Sequence, residues 1–143
     1  MSESPQPSPP FSPTVALLTV ARVWDADLAD VLKPLGLTAR KYGLLGHIRA
    51  TPGISFSELA RRSRVTVQSA HATIAGFEAT GLVRDATARA GAASSLQVTD
   101  KGQRLLAEAA QALAVLDERF AHEHPGLTEA LAAYLRQLAR GAF

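Results

Sequence analysis

The side chains best suited to chemistry in this 143-residue chain gather in one stretch, SELARRSRVTVQSAHATIAGFEATG, from Ser57 to Gly81. Arg61, Arg62 and Arg64 come first, then Thr66, and then Gln68, Ser69, His71 and Ala72 within about a turn and a half of helix. Guanidinium groups suit phosphates, which fix register and strength without reading sequence. Gln can address adenine through two hydrogen bonds, Ser can donate or accept, His can meet a guanine acceptor, and an Ala methyl can touch that of thymine. Arg84 and Arg89 carry the basic character onward. The chemistry on offer is contact with double-stranded DNA. Catalysis has no comparable support: the absence of cysteine removes disulfides, thiolate metal sites and a cysteine nucleophile together. No Ser-His-Asp order, phosphate-gripping glycine loop or paired-carboxylate motif stands out, so neither catalytic residues nor a cofactor are assigned. His122 and His124 form an H-x-H that could grip a metal on an extended segment, but with Glu118 and Glu123 nearby it has the composition of a solvated helix end, and no metal site is assigned.

The charge distribution agrees with a polyanion partner. Net charge is only +2, yet between Gly36 and Arg104 ten basic residues face four acids, while the flanks hold the other five basic and nine acidic residues. A basic middle suits a central module facing nucleic acid, and acidic ends suit another task. With 47% hydrophobic and 20% charged residues, the length and composition are those of one globular domain. Residues 1–12, MSESPQPSPPFS, have no basic residue followed by an apolar run of signal-peptide length and are expected to form a disordered tail. No apolar stretch approaches the ~20 residues that span a bilayer, which leads to an expectation of a soluble, cytoplasmic protein without a membrane partner.

The elements that must position these residues are mostly helical, with one short pair of strands. Ser12-Pro13 can start a helix carrying Leu17, Val20, Trp24, Leu28, Val31 and Leu35 on one face, ended by Lys33-Pro34 and Gly36. Thr38 can cap a second helix with Tyr42, Leu45 and Ile48 inward, stopped by Pro52-Gly53. Ser55-Phe56-Ser57-Glu58 is a capping-box pattern opening a third helix through about Arg62. Thr66 can cap a fourth that buries Val67, Ala70, Ile74 and Phe77, with Gly81 ending it in the left-handed conformation. Leu82–Ala86 and Ser95–Thr99 flank a small-residue loop as a β-hairpin. Thr99 caps a long fifth helix with Leu105, Ala109, Ala112, Leu116 and Phe120 inward; His124-Pro125-Gly126 breaks it, and Thr128 is expected to cap a sixth with Leu131, Tyr134, Leu135 and Leu138 on one side.

Two short helices about four residues apart followed by a hairpin form the winged helix-turn-helix pattern, with its second helix in the major groove. Leu59, Ala60, Val65 and Ala70 let those helices cross closely. In this order, LGLTARKYGLLGHI, ISFSELARRSRVTVQSAHATIAGFEATGLV and LQVTDKGQRLL make everything after the tail resemble the MarR family of bacterial transcriptional regulators. The fold class expected is therefore mainly α with a small β-hairpin wing, in a single domain over 13–143: the winged helix-turn-helix over 36–102, and dimerisation helices over 13–35 and 103–143. The resemblance implies a homodimer, two reading heads spaced for a pseudo-palindromic operator, and often a pocket for a small-molecule effector between dimer helices and reading heads. Trp24, Leu28, Leu45 and His47 are the candidates to line that pocket.

The amphipathic terminal helices argue for the dimer independently, because their apolar stripes exceed what the central unit can cover. The chain also departs from the family. Basic side chains commonly stand where it has Ala72 and Gly76, and the hairpin tip lacks the usual Asp-Arg pair. Arg64 occupies a turn position often held by Gly, at a cost on the order of 1 kcal/mol if its φ is positive. Candidate DNA contacts are thus Thr66, Gln68, Ser69, His71 and Ala72 on the reading helix, with Arg62, Arg64, Arg84 and Arg89 on the backbone or, for Arg89, in a minor groove. The expected function is a repressor released by a ligand. The alternative is a dimeric module of the same fold that has lost its operator and docks a protein partner or ligand; Arg62, Arg64 and Arg89 on one face would favour DNA.

Overall fold

The computed structural model describes residues 10–87 and 91–141. Six helices and one hairpin follow in order: α1 (Pro13–Leu32), a 3₁₀ turn (Lys33–Leu35), α2 (Ala39–Ala50), α3 (Phe56–Ser63), α4 (Val67–Ala79), β1 (Val83–Asp85), β2 (Leu96–Val98), α5 (Asp100–Glu123) and α6 (Pro125–Gly141). Five helices start where a hydroxyl can take an amide that has no partner in the first turn. Ser12 accepts from the Val15 amide, Thr38 from Lys41, Ser55 from Glu58, Thr66 from Ser69 and Thr99 from Gly102.

Three local expectations need correction. The capping box at Ser55 is only half made, because the Glu58 carboxylate turns to Arg61 and Arg62: two charged donors outcompete one backbone amide. Val67 is 43% exposed, since Ala70, Ile74 and Phe77 already define the buried face of α4. The last helix begins at Pro125 rather than after Thr128. Proline has no amide to leave unpaired at a first helical position, and the Thr128 hydroxyl instead donates to the His124 carbonyl at 2.9 Å. His124 alone separates α5 from α6.

The core lies where α2, α3, α4 and the hairpin meet the end of α1 and the start of α5. Leu32, Leu44, Leu45, Ile48, Leu59, Ile74, Leu96 and Leu106 are its fully buried large side chains. The strands pair antiparallel, Val83 with Val98, Arg84 with Gln97 and Asp85 with Leu96. Ile54 adds a bridge to Leu96 on the other edge, a contact too short to show as a strand in sequence. Gly102 sets how closely α5 can approach this sheet: a Cβ there would stand 2.3 Å from the Leu82 carbonyl oxygen and 2.6 Å from Val98 Cγ1.

Much of the apolar surface of the terminal helices stays outside this core. Phe11, Val15, Leu17, Leu18, Val20 and Val23 are exposed, as are Tyr134, Leu135 and Leu138 of α6. The stripe expected along the first helix divides: Trp24, Leu28 and Val31 of α1 and Leu35 of the 3₁₀ turn are half-buried, whereas Leu17 and Val20 are exposed. No helix among the described residues is long and apolar enough to cross a membrane.

Candidate nucleic-acid interface

Burying Ala70, Ile74 and Phe77 fixes the rotation of α4 and turns Gln68, His71, Ala72 and Ala75 to solvent. Their three- and four-residue steps make one face. Ser69 sits at its edge, half-buried, with its amide held by Thr66 and its carbonyl taking the Thr73 hydroxyl. Of the readers expected on this helix, Gln68, His71 and Ala72 are therefore presented together, with Thr66 exposed at the cap.

Arg64 ends α3 in the left-handed conformation, φ 53° and ψ 42°, the position for which glycine is ordinarily used. Its amide donates to the Arg61 carbonyl and its exposed side chain pairs with no carboxylate among the described residues. Arg62 is placed differently from the free anchor expected of it. Its Nε donates to Glu58 Oε1 at 2.7 Å and its Nη1 to Thr51 Oγ1 at 2.8 Å, while Arg61 binds both oxygens of the same carboxylate. Hydrogen bonds from Arg61, then Arg62, lower the Glu58 pKa to about 2. At neutral pH this triad carries one net positive charge, and both guanidinium groups are held by the carboxylate rather than free.

The hairpin is tied down near the reading helix. Arg84 donates to Gln97 Oε1 across the strand pair at 2.6 Å. Asp85 accepts from the Thr87 hydroxyl, the Thr87 amide and the Ser95 amide, and these bonds, the Thr87 hydroxyl first, hold its carboxyl below the usual range. Arg89 lies outside the described residues, so the expected common face of Arg62, Arg64 and Arg89 reduces to Arg64 as the one of the three that is both described and unpaired with Glu58.

Sequence reasoning missed Phe56. Its ring stacks on the His71 imidazole, with centroids 3.8 Å apart and planes at 22°, and its amide donates to Ser94 Oγ at 2.8 Å. The stack holds the exposed His71 against the first residue of α3, and the amide bond ties that residue to the wing. Both partners lie far from His71 in sequence, and only the aromatic at the first position of α3 gave a signal.

The four residues expected around one effector pocket are not brought together. Trp24 packs edge-on to Phe120 at 4.6 Å, with the Arg119 guanidinium 5.1 Å over its ring. Leu28 backs the core, and Leu45 is wholly buried in it. His47 lines a shallow hollow with Arg40, Gly43, Ser63 and Arg64. The principal reason is that α2 turns Leu45 and His47 to different sides. A larger cavity lies instead between α4, the start of α5 and the α1–α2 link. No group of three His, Asp or Glu side chains among the described residues is arranged to hold a metal.

The MarR family model matches residues 35–91. The HTH-type transcriptional repressor Rv2887 of Mycobacterium tuberculosis is 31% identical over 104 residues, 72% of this chain and 75% of that protein. Among solved structures, Rv2887 in complex with DNA has a TM-score of 0.73 at 24% identity, covering 94% of this chain and all of the other. The same protein in complex with p-aminosalicylic acid gives 0.71 at 25% identity, covering 90% and 99%.

Proposed function

Because the chain belongs to the MarR family, we propose that it is a homodimeric transcriptional repressor that holds a pseudo-palindromic operator through two copies of α3–α4 and releases it when a small molecule binds. The observation that carries this is the single outward face of Gln68, His71 and Ala72, with the exposed Arg64 just ahead of α4 paired with no carboxylate among the described residues. The names of its relative, a repressor solved with DNA and with p-aminosalicylic acid, support both halves. Gln68 and His71 read base edges, Ala72 contacts a thymine methyl, Thr66 and Ser69 border them, and Arg64 and Arg84 hold phosphates. Arg62 adds to the backbone contacts to the extent that a phosphate draws it from Glu58, and Arg89, outside the described residues, keeps the minor-groove contact expected from its sequence position. The exposed apolar faces of α1 and α6 close the dimer, and the protein works in the cytoplasm.

Ligand release is a population shift, effective only if the ligand binds one spacing of the reading heads better than the other. The pairing of two of three arginines with Glu58 favours a second reading, a dimeric module that no longer selects an operator and docks a protein partner or ligand. Fluorescence anisotropy on the duplex upstream of the protein's own gene and on a scrambled duplex, titrated across salt, decides between them. The repressor reading requires saturable preference for the upstream duplex, with a log–log salt slope of roughly −0.9 per phosphate neutralised. Equal, weak binding to both selects the module.

A further inference from the structure

We propose that the hollow between the first turn of α2 and the end of α3 is a phosphate site, in which Arg40, His47 and Arg64 surround a phosphate group over the hydroxyl of Ser63. The hollow has a volume of about 270 Å³, below the roughly 300–1,000 Å³ of sites for drug-sized organic ligands. It therefore suits a small ion, or a group projecting from a larger molecule. Its lining is also wrong for an apolar body. Arg40, His47, Arg62 and Arg64 stand round it, and no acid lines it among the described residues. Gly43 leaves the approach open, since a Cβ there would meet nothing within 4 Å.

Arg40 and Arg64 are exposed and His47 is half-buried, and none of the three pairs with a carboxylate among the described residues. Their donors are free for a ligand, whereas Arg62 is held by Glu58 and Thr51 and contributes its charge alone. The imidazole offers an N–H even when neutral, and guanidinium groups bind phosphate oxygens through strong charge-assisted bonds. Ser63 Oγ is buried with no hydrogen-bond partner among the described residues. Such a hydroxyl is costly to leave unmade, and a change of χ1 rotamer turns it toward an oxygen seated above it. Ala39 and Arg40 bring the first turn of α2 to the hollow, and the positive end of a helix adds to the attraction for an anion. The phosphate can come from a duplex backbone or from a free phosphate ion. Arg62 and Arg64 lie just ahead of Thr66, the cap of α4, so a duplex laid along that helix brings its backbone to the same edge. The backbone as source rests on the function proposed above; the site does not.

The site is tested on the full chain by following the NMR resonances of the His47 imidazole, identified by their loss in His47→Gln, while inorganic phosphate replaces chloride at constant ionic strength and neutral pH. The resonances should shift saturably. Arg40→Gln should need roughly tenfold more phosphate, the loss typical of a charge-assisted contact, and Ser63→Ala roughly fivefold more. Ser63→Ala should melt no lower than the parent, because its hydroxyl makes no bond in the free fold. Lys41→Gln loses the same charge as Arg40→Gln one residue on but outside the hollow, and should titrate as the parent does. No saturable shift, or equal loss in Arg40→Gln and Lys41→Gln, overturns the site; undiminished binding to Ser63→Ala overturns the part given to the hydroxyl. Anisotropy on the scrambled duplex across salt then identifies the source. With the backbone in the hollow, Arg40→Gln should lower the salt slope by roughly 0.9 per reading head, and Lys41→Gln should leave it unchanged. An unchanged slope in Arg40→Gln overturns the backbone as source and leaves a site for the free ion. A protein that answers to phosphate but never prefers the upstream duplex overturns the proposed repressor and leaves the site standing.

Discussion

Replacing Arg64 by glycine should strengthen the fold and weaken the complex with DNA. The residue sits at φ 53°, where a side chain costs on the order of 1–2 kcal/mol. Glycine removes that strain but loses about 0.4–1 kcal/mol to the greater freedom of the unfolded chain. The net gain is about 0.5–1 kcal/mol, equivalent to a rise of roughly 2–4 °C in melting temperature for a chain of this size. Melts must be compared at one protein concentration, because a dimer's stability depends on it. Arg64→Ala is the necessary companion: it removes the charge and keeps the strain, so it should melt with the parent and below Arg64→Gly. On DNA the two variants should behave alike. Each dimer loses two phosphate contacts, one per reading head, and the salt slope should shrink by about 1.8 with no change in preference between duplexes. A glycine variant no more stable than the alanine variant would refute the strain; an unchanged slope would remove Arg64 from the phosphate contacts.

Glu58→Gln should tighten binding to every duplex and steepen its salt slope, since Arg61 and Arg62 are then free for phosphates; anisotropy across salt measures both. The same carboxylate has its folded pKa lowered from 4.5 to about 2, so its stabilising effect is complete above pH 4.5 and is lost as pH falls toward 2; acid unfolding followed by circular dichroism should show a decline in that window that is weaker in Glu58→Gln. Phe56→Leu removes the stack that holds His71, a contact of about 0.5–1.5 kcal/mol, and should reduce preference among duplexes as His71→Ala does while leaving the salt slope unchanged. Gly102→Ala should lower stability by about 1–3 kcal/mol in thermal melts, because the added methyl meets the Leu82 carbonyl and Val98.

What could be read from the sequence was local. Ser12, Thr38, Ser55, Thr66 and Thr99 each cap the helix expected of them, because a hydroxyl and an amide three residues on need no tertiary partner. The positive φ of Arg64 was open to expectation only through the family resemblance, in which Gly often holds that turn position. What could not be read depended on competition or distance. Glu58 had a backbone amide and two guanidinium groups within reach, and charge decided. Trp24 and His47 are 23 positions apart on separate helices, and only the packing of Trp24 on Phe120 of α5 shows that they serve different places. The Phe56–His71 stack spans the helix-turn-helix and has no periodicity to announce it.

The sparse reader gives the dimer a task beyond doubling affinity. On each α4 the outward side chains proposed to read bases through hydrogen bonds are Gln68 and His71, with Ser69 at the margin, and a good pair to a base is worth about 1–3 kcal/mol. One head thus supplies about 2–6 kcal/mol of discrimination, whereas specific binding typically exceeds non-specific binding by about 4–10 kcal/mol. Two heads held at a fixed spacing, at about 4–12 kcal/mol, span that range, whereas one head lies below it or in its lower part. Specificity in such a protein is more sensitive to the geometry of the pair than it would be for a helix rich in base contacts. Ala72, Ala75 and Gly76, which contribute no hydrogen bonds, make the system easier to release: a modest displacement of α4 removes a large fraction of a small set of contacts. The terminal helices, whose apolar faces lie open in the single chain, are the elements proposed above to close the dimer and so to set the spacing of the two heads.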